Sequence, residues 1–473
     1  MVSTAPDTST PKDDLILLAA LFLAELSIVV MSISMYMRGD RSFDIFLSSN
    51  PGVVFLLAIA GVLLSGAVIF HQYLVRKRSQ LHHYRMVVAM NLITVFLSLA
   101  TIELTLRAVS RSTSQGVKLL SIELLPKHWE QIALHHRRLL GSESGKFDYV
   151  VYDDLMGWTV GVNKQGSDGM YWSSSEGVRA PRAGVNFGKS TGRPQIAIVG
   201  DSFTFGQDVQ YEDTWGYYLE KMLDSKFQVL NFGVPGYAID QAYLRYEKDI
   251  LKWKPKIVIF GFIANDVIRS MSVYPFIKFP AWDWPYSKPR FIIHDGSLKR
   301  INVPPVLPEA VFSRGSVSEL LFLEYDGGYK QDHWQKNLLR KSYLTRLFIS
   351  KFPRWTEVNR NTSNEALVLI NARILKDFVR SAKQNGVIPI VTYFPSKVDL
   401  ASPSVKRVLT ESDIAKQVLE EADIPYTDLT PCVLELSPDD RFVPSKSHYS
   451  PEANAAVANC LHNVVTEALA QAS

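Results

Sequence analysis

The stretch AIVGDSFTFG, Ala197–Gly206, leads from aliphatic residues into a Gly-Asp-Ser turn and a glycine-rich aromatic segment. The aliphatic run at 195–199 predicts a buried strand, and Ser202 follows at its carboxyl end. Ligands of open α/β sheets bind at that end, so we expect the Ser202 hydroxyl to face a crevice as a nucleophile. For a Gly-Asp-Ser turn alone, capping of the next helix is the simpler role for Ser202 and is chemically adequate.

Beyond this strand the chain alternates between apolar runs and amphipathic segments. The predicted strands are 195–199, 227–231, 256–262, 387–393 and 425–429, and the predicted helices are 213–225, 239–253, 364–385, 404–422 and 451–471. Continuous apolar strands separated by amphipathic helices predict an α/β fold with a parallel sheet covered on both faces.

Three further loops carry groups suited to acyl chemistry. Gly236 lies in NFGVPGYAIDQ after the second strand, and Asn265 lies in GFIANDVIRS after the third. Together with the N–H of Ser202, they can donate hydrogen bonds to an oxyanion. His448, in PSKSHYSPEANAAVA before the last helix, can serve as the general base.

These four segments, in this order, resemble the GDSL/SGNH hydrolase family over roughly residues 194–268 and 364–470. The resemblance implies a flavodoxin-like three-layer α/β/α domain that hydrolyses or transfers ester-linked acyl groups. It also implies Ser202 as the nucleophile and His448 as the base, with an oxyanion hole formed by Ser202, Gly236 and Asn265. The family includes membrane-tethered bacterial members that act on acetylated envelope polysaccharides.

The chain departs from the family pattern beside the histidine. The family usually has an aspartate three, sometimes two, residues before it, and here those positions are Ser445 and Lys446. Asp439 or Asp440 could loop in to orient His448, Ser445 or a backbone carbonyl could hold Nδ1–H, or the site could be weak. Loss of the orienting carboxylate alone can cost a triad about 10⁴ in rate.

The predicted function is a serine esterase that acts on an acylated, in particular O-acetylated, envelope polysaccharide or glycoconjugate. The alternatives are an O-acyltransferase with the same site, a non-catalytic glycan-binding or assembly subunit, and a lipid-directed esterase. No cofactor or metal is expected, because the chain has neither HExxH nor paired CxxC. A net charge of +4 gives no reason to expect nucleic acid as a partner.

Three apolar segments, 15–36, 53–70 and 86–106, are about long enough to cross a bilayer. The loop 71–85 is rich in Lys and Arg, which places it in the cytoplasm by the positive-inside rule. These patterns predict a multi-pass bacterial inner-membrane protein with its catalytic domain on the periplasmic side. The bilayer, and a membrane acyltransferase that hands over acyl groups, would then be partners, and Glu25 would lie near mid-bilayer.

The predicted domains are a membrane anchor at 1–110, a juxtamembrane and linker region at 111–190, and a hydrolase-like domain at 191–473. An aromatic-rich insertion at about 270–360 interrupts the last of these. Its Trp282 and Trp284 could stack on sugar rings as a substrate platform, or its aromatics could pack the insertion onto the domain. Whether Cys432 and Cys460 pair is left open by the sequence.

Overall fold

The structure is a computed structural model that describes residues 80–113, 116–141, 149–166, 169–189, 192–279, 282–351, 362–400 and 410–472. The predicted spans 15–36 and 53–70, and Glu25 with them, lie outside the described residues. The described chain forms two compact units. The smaller one contains the residues up to Ile132 and those from Lys330 to Thr356, and the larger one contains Ala133–Tyr329 and the residues from Glu357 onward.

The elements are numbered in chain order. The strands are β1 (Arg111–Thr113), β2 (Gly116–Leu119), β3 (Ile122–Leu124), β4 (Val150–Asp153), β5 (Gly157–Val160), β6 (Trp172–Ser173), β7 (Arg179–Ala180), β8 (Gln195–Val199), β9 (Gln228–Asn231), β10 (Ile257–Phe262), β11 (Arg290–His294), β12 (Ser297–Ile301), β13 (Ile388–Tyr393) and β14 (Thr427–Asp428). The α-helices are α1 (Gln80–Val109), α2 (Trp129–Leu140), α3 (Ser202–Phe205), α4 (Trp215–Met222), α5 (Ile239–Arg245), α6 (Ala264–Arg269), α7 (Pro275–Lys278), α8 (Pro308–Phe312), α9 (Tyr343–Lys351), α10 (Asn364–Gln384), α11 (Glu411–Ala422), α12 (Thr430–Leu434) and α13 (Pro451–Gln471).

The larger unit is built on a parallel sheet with the strand order β14-β13-β10-β8-β9. Renumbered by position in the chain, this is the flavodoxin-like order 2-1-3-4-5, whose ligand site lies where the order reverses, between the first and third strands. Those strands are β8 and β10, which pair in parallel from Ile196 opposite Ile257 to Val199 opposite Phe260. The predicted parallel α/β sheet is confirmed, and Ser202 follows the strand at its switch point.

Alternation along β8 divides the core into two layers. Ala197 and Val199 pack into the layer that contains α5, α10 and α11, whereas Ile196 and Ile198 pack into the layer that contains α4 and α13. All five of the residues 196–200 are buried, because helices cover both faces of the sheet. This is the three-layer arrangement that the family resemblance implies.

The insertion after β10 is divided between the two units, since Lys330 begins a segment that belongs to the smaller one. Its first part holds buried aromatics, Tyr274, Phe276 and Tyr286, which pack the insertion onto the larger unit. A hairpin of β11 and β12 turns at Asp295 and Gly296, both with positive φ.

Near the C-terminus, Cys432 of α12 and Cys460 of α13 form a disulfide with a Cα–Cα distance of 6.6 Å. The two cysteines, whose pairing the sequence leaves open, are therefore joined.

The smaller unit combines α1, the antiparallel sheet β1-β2-β3 and α9. Leu106 of α1 packs in a small core with Leu119 and Leu124. The Glu103 carboxylate accepts hydrogen bonds from the N–H groups of Tyr343 and Leu344 at 2.9 and 3.0 Å, so it caps the N-terminus of α9. Within the predicted juxtamembrane and linker region 111–190, residues 111–113, 116–119 and 122–124 form this sheet.

The predicted membrane placement is corrected by the structure. In the ranges that the structure describes, no helix has the length and hydropathy that crossing a bilayer requires. The third predicted span, 86–106, falls within α1, and its C-terminal end carries Glu103 and Leu106 in contact with α9 and the small core. On this finding, the prediction of a multi-pass inner-membrane protein with a periplasmic domain is wrong.

Candidate active site

Ser202 lies where the fold predicts a ligand site, at the carboxyl end of β8. It begins the short helix α3, whose N-cap is Asp201, because the Asp201 carboxylate accepts the N–H of Phe203 at 2.9 Å. The helix ends after one turn at Gly206, which has φ +74°. Only 5% of Ser202 is exposed. The capping role that the sequence leaves open for Ser202 therefore falls to its neighbour Asp201.

His448 reaches Ser202 from the loop before α13. Its Nε2 lies 3.0 Å from the Ser202 Oγ. The backbone N–H of Val443 donates to the His448 carbonyl at 3.0 Å, and the Ser450 hydroxyl caps α13 by accepting the N–H of Ala453. Because both flanks of the loop are held, the imidazole is fixed beside the hydroxyl.

The carboxylate behind His448 is Asp208. Its Oδ2 lies 2.6 Å from His448 Nδ1, and the two side chains are 19% and 16% exposed. The candidates Asp440 and Ser445 do not fill this position: Asp440 accepts the Ser437 hydroxyl at 2.7 Å, and Ser445 lies in a left-handed turn at φ +61°. Ser202, His448 and Asp208 thus form a continuous hydrogen-bonded chain, with an acid that sequence reasoning missed.

The loop that carries Asp208 is held by a buried arginine. The guanidinium of Arg179 donates to the carbonyls of Phe205 and Gly206 through Nη1, and to that of Val209 at 2.7 Å through Nη2. Three carbonyls on one rigid guanidinium fix the path of the chain on both sides of Asp208. Burial lowers the pKa of Arg179, which nevertheless stays charged at neutral pH.

A second arginine links the three loops that follow β8, β9 and β10. Arg269 Nη1 lies 2.6 Å from Asp266, 3.4 Å from Asp201 and 3.3 Å from the Tyr237 carbonyl. Burial, and then the nearby Asp201 carboxylate, raise the pKa of Asp266 well above its usual range, against the opposing charge of Arg269. This shared contact shows that the three strand ends converge around Ser202.

The predicted oxyanion donors occupy two of these loops. Gly236 has φ +79°, a conformation that favours glycine. Asn265 lies in the first turn of α6, and its Nδ2 donates to Glu411 at 3.1 Å. The bond to Glu411 uses one of the two N–H donors of the Asn265 amide.

The two tryptophans of the predicted platform differ in their surroundings. The ring of Trp282 lies 3.5 Å from where a Cβ on Gly236 would stand, and the guanidinium of Arg269 lies 5.0 Å from the ring centroid. Trp284 instead packs edge-to-face on the buried Trp158, with 6.0 Å between ring centroids. Trp282 therefore borders the site, whereas Trp284 contributes to the core.

One known protein family matches the part of the chain that contains the loops after β8, β9 and β10. Residues 196–281 match the family model described as GDSL-like lipase/acylhydrolase. The matched range contains Ser202, Asp208, Gly236 and Asn265, and it ends before His448. The match supports an ester-hydrolysing enzyme of the GDSL type.

Solved structures similar to this chain include the lipase/acylhydrolase from Enterococcus faecalis, at 13% identity and a TM-score of 0.29, covering 57% of this chain and 95% of that one. A catalytic mutant of an acetylxylan esterase from Geobacillus stearothermophilus matches at 12% identity and a TM-score of 0.29, covering 58% of this chain and 94% of that one. No match was found among curated proteins.

In this site, sequence reasoning missed Asp208, Arg179 and Arg269. Asp208 lies only six residues after Ser202, in the same strand-to-helix connection. The signal that could have found it is Gly206, which allows the chain to reverse and bring a nearby carboxylate back toward the serine. No motif marks Arg179, which precedes β8 and acts through backbone carbonyls.

Proposed function

We propose that the chain is a serine esterase in which Ser202, His448 and Asp208 form the catalytic triad. The observation that carries the proposal is the pair of hydrogen bonds from Ser202 Oγ to His448 Nε2 and from His448 Nδ1 to Asp208. Asp208 would hold the proton on Nδ1, which leaves Nε2 as the acceptor for the serine hydroxyl.

In this mechanism, Ser202 Oγ attacks the acyl carbonyl while His448 takes the hydroxyl proton. The N–H groups of Ser202 and Gly236 and the Asn265 amide would stabilise the tetrahedral oxyanion. His448 then protonates the leaving alcohol oxygen, and the acyl group stays on Ser202 as an ester. Attack by water on that ester, with His448 as base again, releases the carboxylic acid and restores the serine.

We propose an acylated carbohydrate as the substrate class. Trp282 supports this assignment, because its half-buried ring borders the Gly236 loop and an aromatic face of this kind can stack on a sugar ring. The neighbouring Arg269 fixes the orientation of that ring through its cation–π contact.

The test of the esterase is hydrolysis of p-nitrophenyl acetate by the full chain beside Ser202→Ala and His448→Ala. Wild type should turn over and react with a fluorophosphonate probe, and both variants should lose activity by at least about 10³-fold. If wild type neither hydrolyses the ester nor takes up the probe, the esterase is refuted and the glycan-binding subunit becomes the better account.

The substrate class is tested with Trp282→Ala. This variant should raise KM for acetylated xylo-oligosaccharides roughly tenfold while leaving p-nitrophenyl acetate hydrolysis nearly unchanged, because only the sugar needs the ring. Preference of the wild type for p-nitrophenyl palmitate over acetyl esters would instead favour a lipid substrate. Measurement of free acetate against acetylated acceptor sugar distinguishes hydrolysis from transfer.

A further inference from the structure

The smaller unit contains a basic pocket of about 650 Å³. None of the residues that line it takes part in the proposed esterase mechanism. Five lysine and arginine side chains line it: Arg107, Lys336, Arg340, Lys341 and Arg346. The other lining residues are Pro126, His128, Asn337 and Leu338. No carboxylate is among these described lining residues, so the pocket wall is positively charged.

Two of the five cations are neutralised by neighbouring acids. Arg107 pairs with Glu103 at 2.7 Å, and Lys336 pairs with Glu130 at 2.7 Å. The remaining three show no ion pair within the part of the chain that the structure describes: Arg340, Lys341 and Arg346.

Two of those three cations, Arg346 and Arg340, are held by groups that leave their charge uncompensated. The guanidinium of Arg346 donates to the carbonyls of Leu124 and Leu125, and Arg340 donates to carbonyls of Asp332 and Gln335. Carbonyl acceptors orient a guanidinium without cancelling its charge. The pocket is therefore a prearranged cationic site.

His128 is the one histidine among the residues that line this pocket. It is half-buried, and its Nε2 lies out of contact with solvent and with no hydrogen-bond partner among the described residues. Burial, and then the charges of Arg346 and Lys336, lower the pKa of His128, so its imidazole is neutral at pH 7. The positive charge of the pocket therefore comes from its lysines and arginines.

We propose that this pocket binds the phosphate group of an anionic ligand, a phosphomonoester or phosphodiester. Guanidinium groups match phosphate oxygens in charge and geometry. The pocket has room for more than a phosphate ion, and the exposed Leu338 in its wall suits a phosphate carried on a larger, partly apolar group. A soluble phosphate ester and a lipid headgroup share this chemistry.

The experiment compares the full-length wild type with Lys341→Gln and the control Lys118→Gln. Lys341 is exposed and lines the pocket, whereas Lys118 is an exposed lysine of β2 that does not. Binding is measured by calorimetry with inorganic pyrophosphate, and by sedimentation with phosphatidylglycerol vesicles against phosphatidylcholine vesicles. Thermal unfolding checks that each variant is folded.

Lys341→Gln should weaken binding roughly tenfold, because it removes one charge-assisted contact, while Lys118→Gln should behave as the wild type. Saturable binding of pyrophosphate identifies a soluble phosphate source, and binding confined to phosphatidylglycerol vesicles identifies a lipid headgroup. Absence of saturable binding to both probes, or equal weakening by the two substitutions, would overturn the proposal. Esterase activity is an independent readout that Lys341→Gln should leave unchanged.

Discussion

Asp208 is the residue on which the efficiency of the proposed triad depends. In Asp208→Asn the side chain no longer carries a negative charge to accept the hydrogen bond from His448 Nδ1–H. His448 can then carry its proton on Nε2, where it cannot act as a base toward Ser202. We expect kcat for p-nitrophenyl acetate to fall by about 10³- to 10⁴-fold with KM little changed. Steady-state kinetics of the full chain measure this loss.

Asp440→Asn is the matched control, because Asp440 carries the same charge but bonds to Ser437. It should retain most of the activity. The assignment of Asp208 fails if Asp440→Asn abolishes turnover and Asp208→Asn does not. The sequence alone could not identify Asp208 as the acid, since it shows only that the usual positions before His448 carry no aspartate. The reversal that brings Asp208 back needs positive φ at Gly206 and at Asp208 itself, which is set by tertiary packing.

At the scale of elements, periodicity located most of the hydrolase-like sheet and its helices. The predicted strand 256–262 is observed as Ile257–Phe262, and the predicted helix 451–471 as Pro451–Gln471. The predicted helix 239–253 instead breaks into α5, a π turn at Tyr246–Ile250 and a 3-10 turn at Leu251–Trp253. Hydrophobic spacing over so few residues cannot distinguish these geometries, because they differ in hydrogen-bond register, which the apolar pattern does not report.

The loop between α3 and α4 depends on Arg179, which bonds three carbonyls around Asp208. Arg179→Lys should lower kcat by about 10-fold or more, because an ammonium on a flexible stem cannot hold all three acceptors at once. The expected loss is in kcat with KM nearly constant, as Asp208 moves away from His448. Kinetics beside a thermal melt test this, and unchanged kcat in a folded variant would contradict it.

The contact of α1 with α9 depends on Glu103. Burial acts to raise its pKa, but hydrogen bonds from Leu344, Tyr343, Ser342 and Arg107 outweigh it and lower the pKa of Glu103 to about 2. The stabilisation is therefore fully present above about pH 4.5 and is lost as the pH falls toward 2.

Glu103→Gln should accelerate amide hydrogen exchange at the start of α9 at pH 7, equivalent to a loss of about 1–2 kcal/mol of local stability. The difference from wild type should shrink as the pH falls from 4.5 toward 2. Exchange protection of a peptide covering 342–351, corrected for intrinsic rates, measures both. A difference that is the same at pH 3 as at pH 7 would contradict the role of the charged carboxylate.

At the scale of the whole molecule, the sequence predicted that the sheet lies in the C-terminal half of the chain. It did not predict that the insertion is shared between two compact units. Residues up to Tyr329 belong to the larger unit, and Lys330 begins the segment that packs with α1. That division rests on contacts such as Glu103 with Tyr343, which join residues 240 positions apart. Apolar composition at 86–106 likewise predicts burial, whereas Phe96 and Leu104 are exposed and Leu106 is buried. The predicted domain limits remain predictions.

The disulfide between Cys432 and Cys460 should contribute to the stability of the whole larger unit. It closes a loop with a sequence separation of 28, and chain-entropy reasoning gives about 3–4 kcal/mol for a loop of that length. Replacing both cysteines by serine should lower Tm by on the order of 10 °C for a unit of this size. Wild type melted in reductant should approach the variant, because both lack the same constraint in the unfolded chain. If reductant leaves the wild-type Tm unchanged and the double variant melts at the same temperature, the cross-link carries no stability, and α12 is held on α13 by side-chain packing alone.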